Sequence, residues 1–349
     1  MRFFLTVIFC FNLSFGDDLP MLRVFNFNDY IENGILVNFA KENKIKIRYE
    51  MYENNNELYE KIQNDKVGFD LACPSSNSIA ILATNNYLLD LNTSKLKNLK
   101  NINQTLFKQI NSITTNNYFV PYFWGTIGIM YDKTKIQPIK SWDDLWREDL
   151  KNSILIGSDY RDMFGVVLKS LGYSPNTKNQ EEIEKAYNKL LLLIPNIKAI
   201  SSDTVSKYFL RDNFTVGIVF NGDAKIVTNS QPKYIYSYPK EGALRWVDSF
   251  VILKKGTNRE LSYKFLDYIL EPKNALAIAN KIGYATANIE AYKLQEKSVK
   301  ENNILYPSET IISKSEILQN VGESDILYKK YWDLFLKAYN KSKGLKNEK

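Results

Sequence analysis

The order of residues predicts an α/β chain built as two discontinuous lobes, and three observations predict it. From Leu22 onward, short apolar runs alternate with amphipathic ones, the pattern of parallel strands joined by helices. Two extended segments, 118–131 and 234–253, interrupt that alternation and read as strands that cross from one lobe to the other and back. At 349 residues the chain is long enough for two domains. The crossings divide it into lobe 1, residues 17–124 with 247–292, and lobe 2, residues 125–246 with 293–349, with a ligand cleft between them.

The first sixteen residues, M-R-F-F-L-T-V-I-F-C-F-N-L-S-F-G, carry one early Arg, a short apolar run and small residues at Ser14 and Gly16. This is the pattern of a secretory signal peptide cut near Gly16. The run is too short to span a membrane and no later stretch reaches that length, so an exported, soluble chain is expected. Cys10 lies in the leader, and Phe9 in front of it argues against a lipid anchor there, since lipoprotein signals place a small residue before the cysteine. Loss of the leader leaves Cys73 with no intramolecular disulfide partner.

Beyond the leader, strands are expected at 22–27, 45–51 and 69–73. Ile35, Val37, Phe39 and Ala40 give one intervening helix, and Leu58, Tyr59 and Ile62 another. A further helix, 78–86, follows the punctuation Pro74-Ser75-Ser76. After the first crossing the pattern repeats, with strands near 153–157, 197–200 and 215–220 and helices at 161–171, 180–193 and 203–211. The chain closes in helices, of which 323–342 is the clearest.

Composition removes several function classes. Net charge is +7 and the isoelectric point is near 9.0, yet the lysines are scattered among Asn, Ile and Glu with no Arg-rich run, which argues against a nucleic-acid partner. Histidine is absent, so His-based triads, His zinc sites and imidazole general bases are all excluded. No metal or cofactor is expected.

The candidate binding residues fall at strand ends. Ligands of open α/β sheets sit outside the carboxyl ends of the strands, which is where Phe27, Tyr30, Ser75 and Asn77 are placed. In G-A-L-R-W-V-D-S-F-V-I-L, residues 242–253, Trp246 and Asp248 are two apart on a strand and share one face. An indole face attracts a cation through its quadrupole and a carboxylate attracts it as a full charge, so the pair suits an ammonium group. Asp159 and Asp162 follow the apolar strand I-L-I and open a helix, where free backbone N–H groups and the helix dipole should keep both ionised. Trp124, Phe220 before Asn221-Gly222-Asp223, and Tyr284 add rings beside residue types common in loops. Flat aromatic walls with carboxylates at intervals suit an extended apolar molecule with positive ends.

The same stretches carry a resemblance. N-F-N-D-Y at 26–30, P-Y-F-W-G at 121–125, S-W-D-D-L-W at 141–146, L-G-Y-S at 171–174, Y-P-K-E-G at 238–242, W-V-D-S at 246–249, I-G-Y-A-T-A-N at 282–288 and L-Y-P at 305–307 resemble the periplasmic spermidine/putrescine-binding proteins of ABC importers. The resemblance covers nearly all of the mature chain. It implies a type II periplasmic binding fold, periplasmic location, a polyamine ligand, a membrane permease as partner, a monomer and no catalysis. It also implies that Asp159, Asp162 and Asp248 hold amino groups while Tyr30, Trp246 and Tyr284 form aromatic walls. Asp162 stands where the family often has Glu, Phe27 and Phe220 where it often has Trp, and Asn77 where it has Tyr. The family's pocket glutamine falls on Leu318 or Gln319. Two rivals are a secreted hydrolase using Asp159 with Asp248, and the same fold holding ferric iron through tyrosines.

Overall fold

A computed structural model describes residues 7–9, 19–66, 68–111, 117–201, 205–212 and 214–344. The cleavage point expected near Gly16, and Cys10, lie outside the described residues. The chain divides into two compact units, Met1–Trp124 with Val247–Glu301, and Gly125–Trp246 with Asn302–Lys349.

In the first unit β1 (Val7–Phe9), β2 (Met21–Phe27), α1 (Asn33–Asn43), β3 (Lys46–Tyr52), α2 (Asn55–Gln63), β4 (Leu71–Ala72), α3 (Ser76–Thr84) and α4 (Gln104–Asn111) follow one another. β2 runs parallel to β3 and β4, while β1 lies antiparallel on β3. The helices begin where the sequence supplies a cap: Glu32 accepts from Ile35 N, and Asn54 from Asn56 N and Glu57 N. Leu22, Val24 and Phe25 are buried, and the Phe25 ring stacks on Phe69 at 4.9 Å between centroids. β5 (Phe119–Asp132) begins in this unit and continues into the second after Trp124.

The second unit continues with β6 (Ile154–Gly157), α5 (Tyr160–Ser170), α6 (Gln180–Leu193), β7 (Ile197–Ser201), α7 (Val205–Asp212), β8 (Val216–Phe220), α8 (Asn221–Ser230) and β9 (Tyr234–Ser237). β6 is parallel to both β7 and β8, and the later half of β5 is antiparallel to β8 and β9. Met130, Leu155, Phe209, Phe214, Val219 and Tyr234 form a buried cluster there. β10 (Leu244–Ile252) returns the chain to the first unit, where Val251 and Ile252 pair antiparallel with β4. α9 (Arg259–Ile269), α10 (Pro272–Ile282), β11 (Ala285–Thr286), α11 (Ile289–Leu294) and α12 (Lys297–Lys300) complete that unit. α13 (Glu309–Lys314), β12 (Glu316–Ile317) and α14 (Asp325–Ser342) complete the second.

Two expectations are corrected. The extended run 234–253 is two strands, broken at Gly242, which holds φ +95° while its α-carbon approaches the Lys314 carbonyl. A Cβ there would lie 1.9 Å from that oxygen, so only glycine fits. Asn221-Gly222-Asp223 is not a loop but the first turn of α8, and all three residues are buried. Asn221 is held there from two sides: its Oδ1 accepts from Thr126 N at 3.3 Å and its Nδ2 donates to the Ile304 carbonyl at 3.1 Å. No helix among the described residues is long and apolar enough to cross a membrane.

Candidate functional site

In the first unit, β2 ends at Phe27 and the chain turns through Asn28 and Asp29 to Tyr30. Buried Asn26 shapes this turn, accepting from Phe27 N at 2.8 Å through Oδ1 and donating to the Tyr30 carbonyl at 3.4 Å through Nδ2. Asp29 takes φ 53°, a left-handed value that a short Asp side chain tolerates. The Tyr122 hydroxyl donates to the same Tyr30 carbonyl at 2.9 Å. Tyr30 is thereby fixed with its ring edge-on to Phe27, at 5.6 Å between centroids, and to Tyr284, at 6.1 Å. Trp124 pairs in register with Ala285, the residue after Tyr284.

Asp248 lies at the centre of this set and is 6% exposed. Its Oδ2 accepts from the Tyr30 hydroxyl at 2.8 Å and its Oδ1 from the Ser75 hydroxyl at 2.6 Å. Ser75 occupies the N-cap position of α3 yet makes no side-chain capping bond, because its hydroxyl is spent on Asp248. Both donors are neutral, and burial outweighs them: the Asp248 carboxyl is pushed up to about 6. Burial, with Asp248 beside it, also carries the Tyr30 phenol well above its usual range. Asn77 sits half-buried in the first turn of α3.

In the second unit, the parallel pairing of β6 with β8 brings the chain after Gly157 and the chain after Phe220 to the same end of the sheet. Phe220 meets Trp246 edge to face, with centroids 6.0 Å apart. The indole lies against the backbone of β5 at Gly125, where a Cβ would come within 2.4 Å of its Cζ2. Asp159 is the N-cap of α5, accepting from Arg161 N at 2.8 Å and Asp162 N at 3.4 Å; Asp162 lies in the first turn. β12 runs parallel to the start of β10, and Leu318 N continues the ladder to the Arg245 carbonyl at 2.9 Å. Leu318 is buried, its Cδ2 within 3.4 Å of the Cβ position at Gly165, so Gln319 is the half-exposed side chain of the two.

Trp246 lies in the second unit, packed on Phe220 and Gly125, and Asp248 in the first, bonded to Ser75 and Tyr30. One reading changes. The Asp159 carboxyl is raised, not held down, because burial outweighs its two backbone N–H bonds and the Arg161 charge, and Asp325 raises it further. Arg161, between the two acids, is 2% exposed, a burial that its place in the first turn of a helix does not announce in the sequence.

Residues 35–306 match the family described as bacterial extracellular solute-binding protein. The spermidine/putrescine-binding periplasmic protein of Salmonella typhimurium is 35% identical over 320 residues, covering 91% of this chain and 92% of the relative. The putrescine-binding periplasmic protein PotF of Escherichia coli is 31% identical over 313 residues, covering 84% and 85%. A solved structure of the spermidine/putrescine ABC transporter substrate-binding protein PotD from Streptococcus pneumoniae is 32% identical, with a TM-score of 0.79 over 92% of this chain and 99% of that one.

Proposed function

This chain belongs to the bacterial extracellular solute-binding protein family, and we propose that it captures a polyamine, spermidine or putrescine, and delivers it to the permease of an ABC importer. The observation that carries the reading is Asp248, a buried carboxylate held by two neutral hydroxyls among the rings of Tyr30, Phe27 and Tyr284. A buried carboxylate without a cation is costly, and an ammonium supplies the missing charge while the rings accept the methylene chain. Asp159, Asp162, Phe220, Trp246 and Gln319 repeat the same chemistry in the second unit. In this reading Asp248 takes an ammonium in the first unit, and Asp159 with Asp162 take one in the second. The names of the two relatives and of the pneumococcal structure support the ligand class. The leader expected at 1–16, a periplasmic location without a lipid anchor, and a monomeric state belong to the same proposal.

The Asp159 and Asp248 carboxyls are both raised, the direction of shift a general acid of a hydrolase needs. The family's description, bacterial extracellular solute-binding protein, supports binding over hydrolysis. Against iron, the Tyr30 phenol is a donor to Asp248 and is shifted away from the phenolate a ferric ion requires. Titration calorimetry of ligand-free mature protein with putrescine, spermidine and spermine tests the proposal, with binding at one site per chain expected. Absence of both heat and thermal stabilisation with all three overturns it.

A further inference from the structure

Arg161 stands between the two acids of the second unit and faces away from solvent. One of its terminal nitrogens, Nη2, donates to the Pro175 carbonyl at 3.1 Å, the Asn176 Oδ1 at 3.4 Å and the Gln319 carbonyl at 3.3 Å. Asn176 closes the same ring of contacts, accepting from Gln319 N at 2.8 Å and donating to the Ile317 carbonyl at 2.9 Å. The guanidinium lies over the Tyr328 ring at 4.5 Å, and the Tyr328 hydroxyl donates to the Thr177 carbonyl at 2.8 Å. Its Nε and Nη1 make no hydrogen bond among the described residues.

We infer that Arg161 is the positioning residue of the second unit's amine site, tying Gln319 and the 175–176 segment to the helix start that carries Asp159 and Asp162. This rests on the polyamine reading above. Asp159 needs its charge to hold an ammonium, and burial and Asp325 both oppose that charge, with Arg161 working against them. The other titratable groups around it do not replace the guanidinium. Tyr160 donates to Asp325 at 2.7 Å, Asp162 shares the helix turn, and Glu182 from α6 accepts from Thr177. Asp143 and Asp144 are turned to Lys189 and to the backbone at Lys140 and Ser141. Through the 175–176 segment, the same side chain ties Gln319 to the start of α5, so the two functions are coupled in one residue.

Putrescine and spermidine affinities of Arg161→Met, Arg161→Lys and Asn176→Ala, measured from pH 8 to pH 5 beside their melting temperatures, test this. Arg161→Met is expected to lose about tenfold or more in affinity at neutral pH. The loss should widen as pH falls, because Asp159 without the guanidinium takes up its proton at a higher pH. Arg161→Lys keeps the charge, so it should follow the wild-type pH profile and lose only a few-fold. Asn176→Ala should likewise lose a few-fold through Gln319. The inference is overturned by an Arg161→Met loss that is constant with pH and equalled by Arg161→Lys, or by wild-type affinity in Arg161→Met. Should Arg161→Met fail to fold, unchanged affinity in both other variants overturns it. A wild-type protein that binds neither polyamine instead refutes the ligand class itself.

Discussion

A single carboxylate sets much of the first unit's chemistry. Asp248→Asn keeps the shape but removes the charge, and a charge-assisted hydrogen bond is worth about 1.5 to 3 kcal/mol. Its affinity for polyamine should fall at least about tenfold, while Asp333→Asn on the surface should change nothing. Equal affinities by calorimetry would make Asp248 a structural residue. Because its folded-state carboxyl is raised to about 6, the folded chain binds more protons than the unfolded chain between about pH 4 and pH 6. Its contribution to stability is therefore present at acid pH and lost as pH rises through 6, on the order of 2 to 3 kcal/mol. Ligand-free protein should gain stability on mild acidification in this window relative to Asp248→Asn, and polyamine binding near pH 6 should release a proton. Urea unfolding against pH and calorimetry in buffers of different ionisation heat check the two signs. Phe220 is half-buried, and its ring stands nearly perpendicular to that of Trp246. Phe220→Trp should tighten polyamine binding by about 0.5 to 1 kcal/mol. A variant destabilised by about 1 to 3 kcal/mol with unchanged affinity would place the ring in the core instead.

At the scale of elements, β5 is where a backbone rather than a side chain makes room. Gly125 lets both Asn221 and the Trp246 indole lie directly on the strand, and a Cβ would stand 2.3 Å from Asn221 Oδ1 and 2.4 Å from Trp246 Cζ2. Gly125→Ala forces one of them away, and overpacking of this kind costs about 1 to 3 kcal/mol. We expect a lower melting temperature, a shifted tryptophan emission and weaker polyamine binding together. Wild-type emission and affinity in a folded Gly125→Ala would show that the indole position is not set by this glycine. The neighbouring contact of Asn221 with Thr126 and Ile304 explains why a polar residue begins α8 from inside the protein.

For the whole molecule, the number of polyamines bound per chain is the deciding quantity. Asp159→Asn and Asp248→Asn should each weaken polyamine binding and leave stoichiometry at one per chain. Two independent sites would show as biphasic titration in the wild type, with each variant losing one phase, and would overturn the single-ligand reading. Much of this protein is legible in its sequence because periodicity and capping are local: the helix expected at 180–193 occupies Gln180–Leu193, and the strands around it begin within a residue or two of their expected positions. The motif stretches likewise point to the family on their own. Tertiary packing alone decided the rest, since desolvation depends on neighbours far along the chain. Asp159 looks ionised as a helix cap and is raised by what buries it; Ser75, expected at a strand end, gives its hydroxyl to Asp248, distant in sequence. Arg161 reads as an ordinary helix residue until Asn176, Gln319 and Tyr328 are brought to it, and no spacing rule reaches across those intervals.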